Sequence, residues 1–425
     1  MVYNITLLFL LIFSFPIPHL GNSVYVAIVL ALIKLVYKRR VGILAKMLLK
    51  GYTNRLIIYT IGLILICMFF TIMNGAFEFS RTYAIVSLLV GVISTIIVYS
   101  SLNMKIAGEE SPERLMEKMI VYVFVVQAVI SIASFVSPAF KSIVSNFQFD
   151  EDANIADKFY TGIRGLAMSG RLYFEYAATC GLVTIFQIKR IINDGSLSIG
   201  SIVILLLIVV CGFFAGRTSM IGFGIGIGFL MLSKTTVRYK MRFIFKFLLV
   251  MFAGIGLIMI AVPSQILDFI NEHLIPWVFD LFLKYMDSGS TDGSASFNRL
   301  NEMYDEVVIT GHEWIIGSGK YTEPSGRYYG HVDAGYLRQL LYWGLIGTLI
   351  SVTYTLKLFK LSWKAAKGIY NQRLFILTIL AYTFVVHYKG DLLSICRFYY
   401  VVIFLYLLSI WQTYRQTKNC MRSNS

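Results

Sequence analysis

Acid-base side chains and a set of cations stand where apolar segments of this chain begin or end. In "GHVDAGYLRQLLYWGLIGTLIS" (330–351), His331 and Asp333 lie two residues apart, directly before a long apolar run that carries Arg338. An imidazole and a carboxylate are both able to accept a proton from a reacting group. Arg217 occupies "FFAGRTSMIGFGIGIG", a very short connection between two strongly apolar runs. An arginine there is costly unless it faces water, a partner or an anion. Arg164 and Arg171 in "GIRGLAMSGR", with Glu175 shortly after, and Arg299, Lys320 and Arg327 add charged groups of the same placement. The planar fork of arginine fits phosphate oxygens, so the chemistry these residues suit is the gripping of a phosphate-like anion.

The elements that position them are membrane helices. Of the 425 residues, 57% are hydrophobic and only 14% charged, more apolar area than a soluble surface can hide. Crossing a hydrocarbon core takes roughly 20 apolar residues, and about twelve such runs occur. They lie near 3–18, 20–37, 56–74, 83–102, 119–138, 172–188, 199–216, 218–233, 243–262, 334–356, 374–388 and 392–412. The runs are unbroken, whereas strands of a β-barrel alternate apolar and polar residues, so the expected fold is all-α, a polytopic bundle. The first run lacks a basic start, which argues against a cleavable signal peptide.

Lys and Arg collect in "YKRRVGILAKMLLKGYTNR", "MKIAGEESPERLMEK", "IKRIINDG", "KTTVRYKMR", "KLFKLSWKAAKGIYNQR" and the tail "TYRQTKNCMRSNS". With both termini cytoplasmic, all of these fall on the cytoplasmic side, as the positive-inside rule requires. The net charge of +15 is then mostly topology and calls for no nucleic acid. Residues 1–262 hold the first nine spans with an outer loop at 139–171. Residues 263–333 form the large outer loop, and 334–425 hold the last three spans and a tail. Long, organised loops are where function concentrates. Within the second, Leu300, Met303, Tyr304, Val307 and Val308 are helically spaced, with Ser296 as cap and Gly311 as stop, which predicts an amphipathic helix on the outer mouth. Cys67, Cys180, Cys211 and Cys396 fall in apolar runs and read as packing residues.

Other motifs have plainer explanations. "HEWII" at His312 places Ile316 where a zinc protease needs a second histidine, so no metal site is expected. "GSGK" (317–320) reads as a tight turn sooner than a phosphate cradle. "GIGIGF" (224–229) reads as a helix-packing face. Glu175 and His387 suit hydrated helix ends as well as function, and Arg397 is expected to pair with Asp391.

In order and sidedness, three segments resemble the bacterial O-antigen and exopolysaccharide repeat-unit polymerases, relatives of the O-antigen ligases. They are Arg217 with Gly228 after ten intervening residues, "NRLNEMYDEVVITGHEWIIGSGKY", and "DAGYLRQLLYWGLIG". The ligase histidine at the head of the last element has Asp333 at its spacing here, with His331 two residues earlier. The resemblance implies a metal-independent glycosyltransferase of the bacterial cytoplasmic membrane that needs no cofactor or nucleotide sugar. Its substrates would be polyprenyl-pyrophosphate-linked oligosaccharides drawn from the bilayer, and a chain-length regulator and a flippase would be its working partners. Arg217 and Arg299 would stabilise the leaving pyrophosphate, Asp333 or His331 would act as base, and Arg164, Arg171, Glu175, Lys320, Arg327 and Arg338 would hold substrate. A ligase, or a flippase or other transporter, is the alternative.

Overall fold

The computed structural model describes residues 1–49, 51–102, 111–149, 164–261, 295–324 and 326–423, with the isolated positions 268, 272 and 286. Residues 263–267 and most of 269–294, the first half of the expected large loop, lie outside the described residues, as do 150–163.

The chain is an all-α bundle. Its helices are α1 (Val2–Phe13), α2 (Ser23–Tyr37), α3 (Val41–Leu49), α4 (Tyr52–Met73), α5 (Ser80–Ser101), α6 (Pro112–Val136), α7 (Pro138–Ser145), α8 (Phe174–Asp194), α9 (Ile199–Ala215), α10 (Thr218–Leu232), α11 (Val237–Ala261), α12 (Ala295–Glu306), α13 (Glu313–Ile316), α14 (Gly335–Ala365), α15 (Tyr370–Lys389) and α16 (Arg397–Ser423). Among the described residues α4, α5, α6 and α14 are long and apolar enough to cross a membrane, and α1, α2, α9 and α10 are shorter apolar helices. "FPIPHLGNS" between α1 and α2 forms a small antiparallel hairpin, Pro16–Ile17 with Gly21–Asn22.

Two helices form the centre. Every residue of α16 from Phe398 to Ile410 is buried, as is nearly every residue of α8. Helices buried on every side in this way pack on protein rather than lipid. α8 accepts α10 at backbone range because two glycines meet: a Cβ on Gly222 would strike the backbone of Gly181, and one on Gly226 would strike Ile188. Of the glycines in the packing face expected at 224–229 only Gly226 packs, joined by Gly222 outside that motif, while Gly224 and Gly228 face open space.

α12 forms where the amphipathic helix is expected, with changed ends. Its described residues run from Ala295, so Ser296 lies within the helix, and it stops at Glu306. Val307 and Val308 thus lie beyond the helix: Val307 still packs with Leu300, Met303 and Tyr304 on the head of α14, but Val308 is 82% exposed. The helix seats itself by stacking Tyr304 on Tyr388, with ring centroids 4.6 Å apart and planes 5° from parallel.

α14 is a broken helix. Trp343 (φ −134, ψ 18) and Gly344 (φ 63, ψ −164) leave helical geometry, which strands the last carbonyls of the first half. The "GSGK" turn meets them. Ser318 N donates to Leu341 O at 2.7 Å, Gly319 N donates to Tyr342 O at 2.8 Å, and Ser318 Oγ donates to Leu341 O at 2.8 Å. Freed backbone groups at membrane depth must be met by protein in this way. The "HEWII" segment becomes α13, whose Ile315 backbone lies where a Cβ on Gly344 would be. Gly344→Ala should therefore combine a φ/ψ region that only glycine occupies readily with a backbone clash. We expect a loss of about 1–3 kcal/mol or more, read from unfolding in detergent micelles. Gly228→Ala, in open helical space, should gain about 0.5–1 kcal/mol. Equal stability of the two variants would refute the plugged break.

Candidate functional site at the bundle mouth

One end of the bundle, the mouth, gathers the loops around residues 74–79, 164–173, 216–217, 310–334 and 390–396. Arg164 leaves a non-helical stretch that Gln148 clamps, its Nε2 donating to Gly165 O at 2.7 Å and Ala167 O at 2.8 Å. That brings Arg164 Nη2 to 3.8 Å from the Cβ direction of Gly216, beside Arg217, which opens α10. Lys389, the last residue of α15, lies within electrostatic reach of Arg217, Arg164 and Asp333. Close backbone approach sets this up, since a Cβ on Gly335 would strike His387 O and Gly390 O. The structure thus brings Arg164, Arg217 and Asp333 together around a cation, Lys389, that sequence reasoning missed.

His331 and Asp333 diverge. His331 holds positive φ (55°) and points its Nε2 at Glu323, 3.9 Å away. Asp333 is exposed and acts on Lys389. Nor does Asp333 cap α14, whose N-cap residue is Ala334, with no side-chain cap bond. Arg338 is buried, 7% exposed, with its guanidinium 3.5 Å from the Tyr328 ring centroid and 3.9 Å from that of Tyr321. It stands behind the mouth, held by aromatic faces.

The remaining predicted residues take other positions. Arg171 pairs with Glu175 at 3.8 Å. Arg299 is on the exposed side of α12, 3.3 Å from Glu302. Lys320 lies 5.8 Å over the Tyr329 ring. Arg327 rides a tight turn closed by Glu323 N donating to its carbonyl at 2.8 Å and by the Thr322–Tyr328 bridge.

Beneath the mouth lies a buried ionic network. Arg81 Nη1 and Asp391 Oδ2 are 2.6 Å apart and neither side chain is exposed. Gln339 Nε2 donates to Asp391 Oδ1 at 3.0 Å and Tyr321 Oη donates to Asp391 Oδ2 at 3.2 Å. Three rings surround Arg81, that of Trp343 at 4.4 Å and those of Tyr321 and Tyr342 each at 5.3 Å. Burial pushes the Asp391 carboxyl up, but Arg81, His387 and Arg338 outweigh burial and hold it below its ordinary value. Glu78 works likewise. Burial raises it, and donors from Ser80, Tyr321 and Thr322 more than reverse that. The expected pairing of Arg397 with Asp391 is therefore wrong: Asp391 is taken by Arg81, while Arg397 lies along Gly91 and donates to Ser87 Oγ at 3.5 Å.

Compared with protein families, curated proteins and solved structures, the chain matches none. The site's meaning rests on its own chemistry.

Charges expected in solvated loops are buried at the opposite end as well. Lys189 Nζ lies 2.7 Å from Glu113 and 2.5 Å from Glu117, with Tyr406 and Gln372 completing the group. The sequence signal for such groups is weak. A cation or carboxylate at the end of an apolar run reads as interfacial unless its partner, elsewhere in the chain, is known.

Proposed function

We propose that this chain joins polyprenyl-pyrophosphate-linked oligosaccharide units into O-antigen or exopolysaccharide at the outer face of the bacterial cytoplasmic membrane. About twelve spans with cytoplasmic termini would carry it. The observation that supports this best is the convergence of Arg164, Arg217 and Lys389 at the mouth, with Asp333 within electrostatic reach of Lys389.

In the transfer, the bond from the donor sugar's anomeric carbon to the pyrophosphate oxygen breaks, and the electron pair leaves with the phosphate. Arg217, Arg164 and Lys389 stabilise that growing charge electrostatically. The acceptor sugar hydroxyl forms the new glycosidic bond and gives its proton to Asp333. Arg299, Lys320 and Arg327 on the rim would contact the outer sugars and phosphates, and Arg171 with Glu175 the flank.

Transport is the competing function, because a broken helix over a buried charge pair is a feature of transporters. In those sites, however, the freed backbone groups face the cargo. Here Leu341 O and Tyr342 O are already taken by the GSG turn, which favours transfer over transport.

Purified protein in liposomes, supplied with lipid-linked repeat units, should yield a ladder of longer lipid-linked products. Arg217→Lys at equal protein level should yield almost none, since lysine supplies charge without the bidentate fork. Movement of unextended units across the bilayer would identify a transporter. Transfer only to a different lipid acceptor would identify a ligase. A normal ladder from Arg217→Lys would remove Arg217 from the mechanism.

A further inference from the structure

A groove of about 410 Å³ runs between α14 and α15, at the end of the bundle away from the mouth. Its floor and walls are apolar, with Phe359 and Ile376 beneath and Leu377 and Leu380 along one side. At its end the character changes. Lys360 and Trp363 line it there, with Lys357 about one turn before them on α14, Arg373 stacks its guanidinium 5.3 Å over the Trp363 ring, and Arg373 Nε is buried without a hydrogen-bond partner among the described residues. Lys357 stays beside the apolar wall, 5.2 Å over the Tyr59 ring. Residues 357–373, "KLFKLSWKAAKGIYNQR", contain Lys357, Lys360, Lys364, Lys367 and Arg373 and no acidic residue.

We propose that this groove is a binding site for one anionic phospholipid, its acyl chain on Phe359, Ile376, Leu377 and Leu380 and its phosphate headgroup on Lys360, Lys357 and Arg373. An apolar slot whose cationic rim lies at one end matches an amphiphile with a single charged head. Trp363 stands where aromatic side chains prefer the headgroup level. A basic pocket between membrane helices is the arrangement that recognises anionic headgroups, at about 1 kcal/mol, or about fivefold in affinity, per cation engaged. Neither a second copy of the chain nor an uncharged helix would use a uniformly positive rim. The site lies apart from Arg217 and Asp333 and does not depend on their function.

The experiment uses the full chain in phosphatidylcholine nanodiscs containing increasing amounts of lipid brominated on its acyl chains. The Trp363 signal is the difference between wild type and Trp363→Phe. Brominated phosphatidylglycerol should quench it at least about fivefold more effectively than brominated phosphatidylcholine at equal mole fraction. Lys357→Gln with Lys360→Gln should cut that ratio sharply, to what Arg373 alone supplies, without changing the melting behaviour. Both side chains are exposed, so this variant should fold. Equal quenching by the two lipids in wild type would overturn the proposal, as would a preference that the double substitution leaves undiminished. A Trp363 signal shielded from both lipids, in discs holding two copies, would also overturn it in favour of a dimer contact.

Discussion

Asp391→Ala should cost about 3–5 kcal/mol of unfolding free energy, because it leaves the Arg81 guanidinium with no carboxylate in a place water does not reach. Arg81 is 0% exposed, and among the described residues its carboxylate contact is the 2.6 Å pair with Asp391. Arg81→Ala should be comparably severe from the other side, stranding Asp391. The double variant Arg81→Met with Asp391→Leu should recover most of the loss, since an apolar pair of similar volume avoids the desolvation that two buried charges incur. Unfolding curves in mixed micelles separate these cases. Single variants as stable as wild type would show that solvent reaches the pair.

The pH dependence follows from the sign of the shift. Asp391 is held below its ordinary value, so its contribution is fully present above the unfolded pKa of about 3.9. It is lost as pH falls through the lower, folded value. The gap between wild type and Asp391→Ala should thus stay constant from neutral pH to about pH 5 and close only in stronger acid.

The same pair shows which parts of the structure could be read from the chain. Apolar runs report helices because each run answers to its own solvent, so α4, α5, α6 and α14 fall where composition puts them. Position within the bundle is a different matter. The run at 392–412 looks like the others, yet α16 is the buried centre, and only packing decides that. Arg81 and Asp391 are 310 residues apart in sequence, and no local pattern links them. The break in α14 was half visible. Gly344 and Gly347 stand out in "YWGLIG", but a helix breaks there only because α13 and the GSG turn arrive to occupy the gap. For the mouth, Arg217 was legible as a costly charge between apolar runs, Arg164 as a further cation on the same side, and Asp333 as an acid-base side chain before an apolar run. Lys389 was not, because a lysine ending a helix has an ordinary explanation as a snorkelling anchor.

Asp333→Asn should lower the rate of unit joining by the roughly 10²–10⁴-fold that a general base usually contributes, whereas His331→Gln should change it little. The two residues share a loop, and the difference is in what they face. Asp333 is an exposed carboxylate within reach of Lys389 and, through it, of the Arg164 and Arg217 group. An acceptor hydroxyl held there would lie between the base and the cations that draw off the donor's phosphate. His331 turns toward Glu323, and taking a proton there would place it away from the bond being made. Asparagine keeps the size of Asp333 and removes only its capacity to accept the proton. Because Ala334 and not Asp333 occupies the N-cap of α14, the substitution should move stability by less than about 0.5 kcal/mol. A loss of rate with unchanged melting is therefore the expected signature, measured with purified lipid-linked units at saturating concentration. A loss of melting temperature in step with rate would make Asp333 a structural residue. A large loss from His331→Gln with Asp333→Asn nearly normal would move the base to the imidazole, and with it the chemistry toward the ligase pattern.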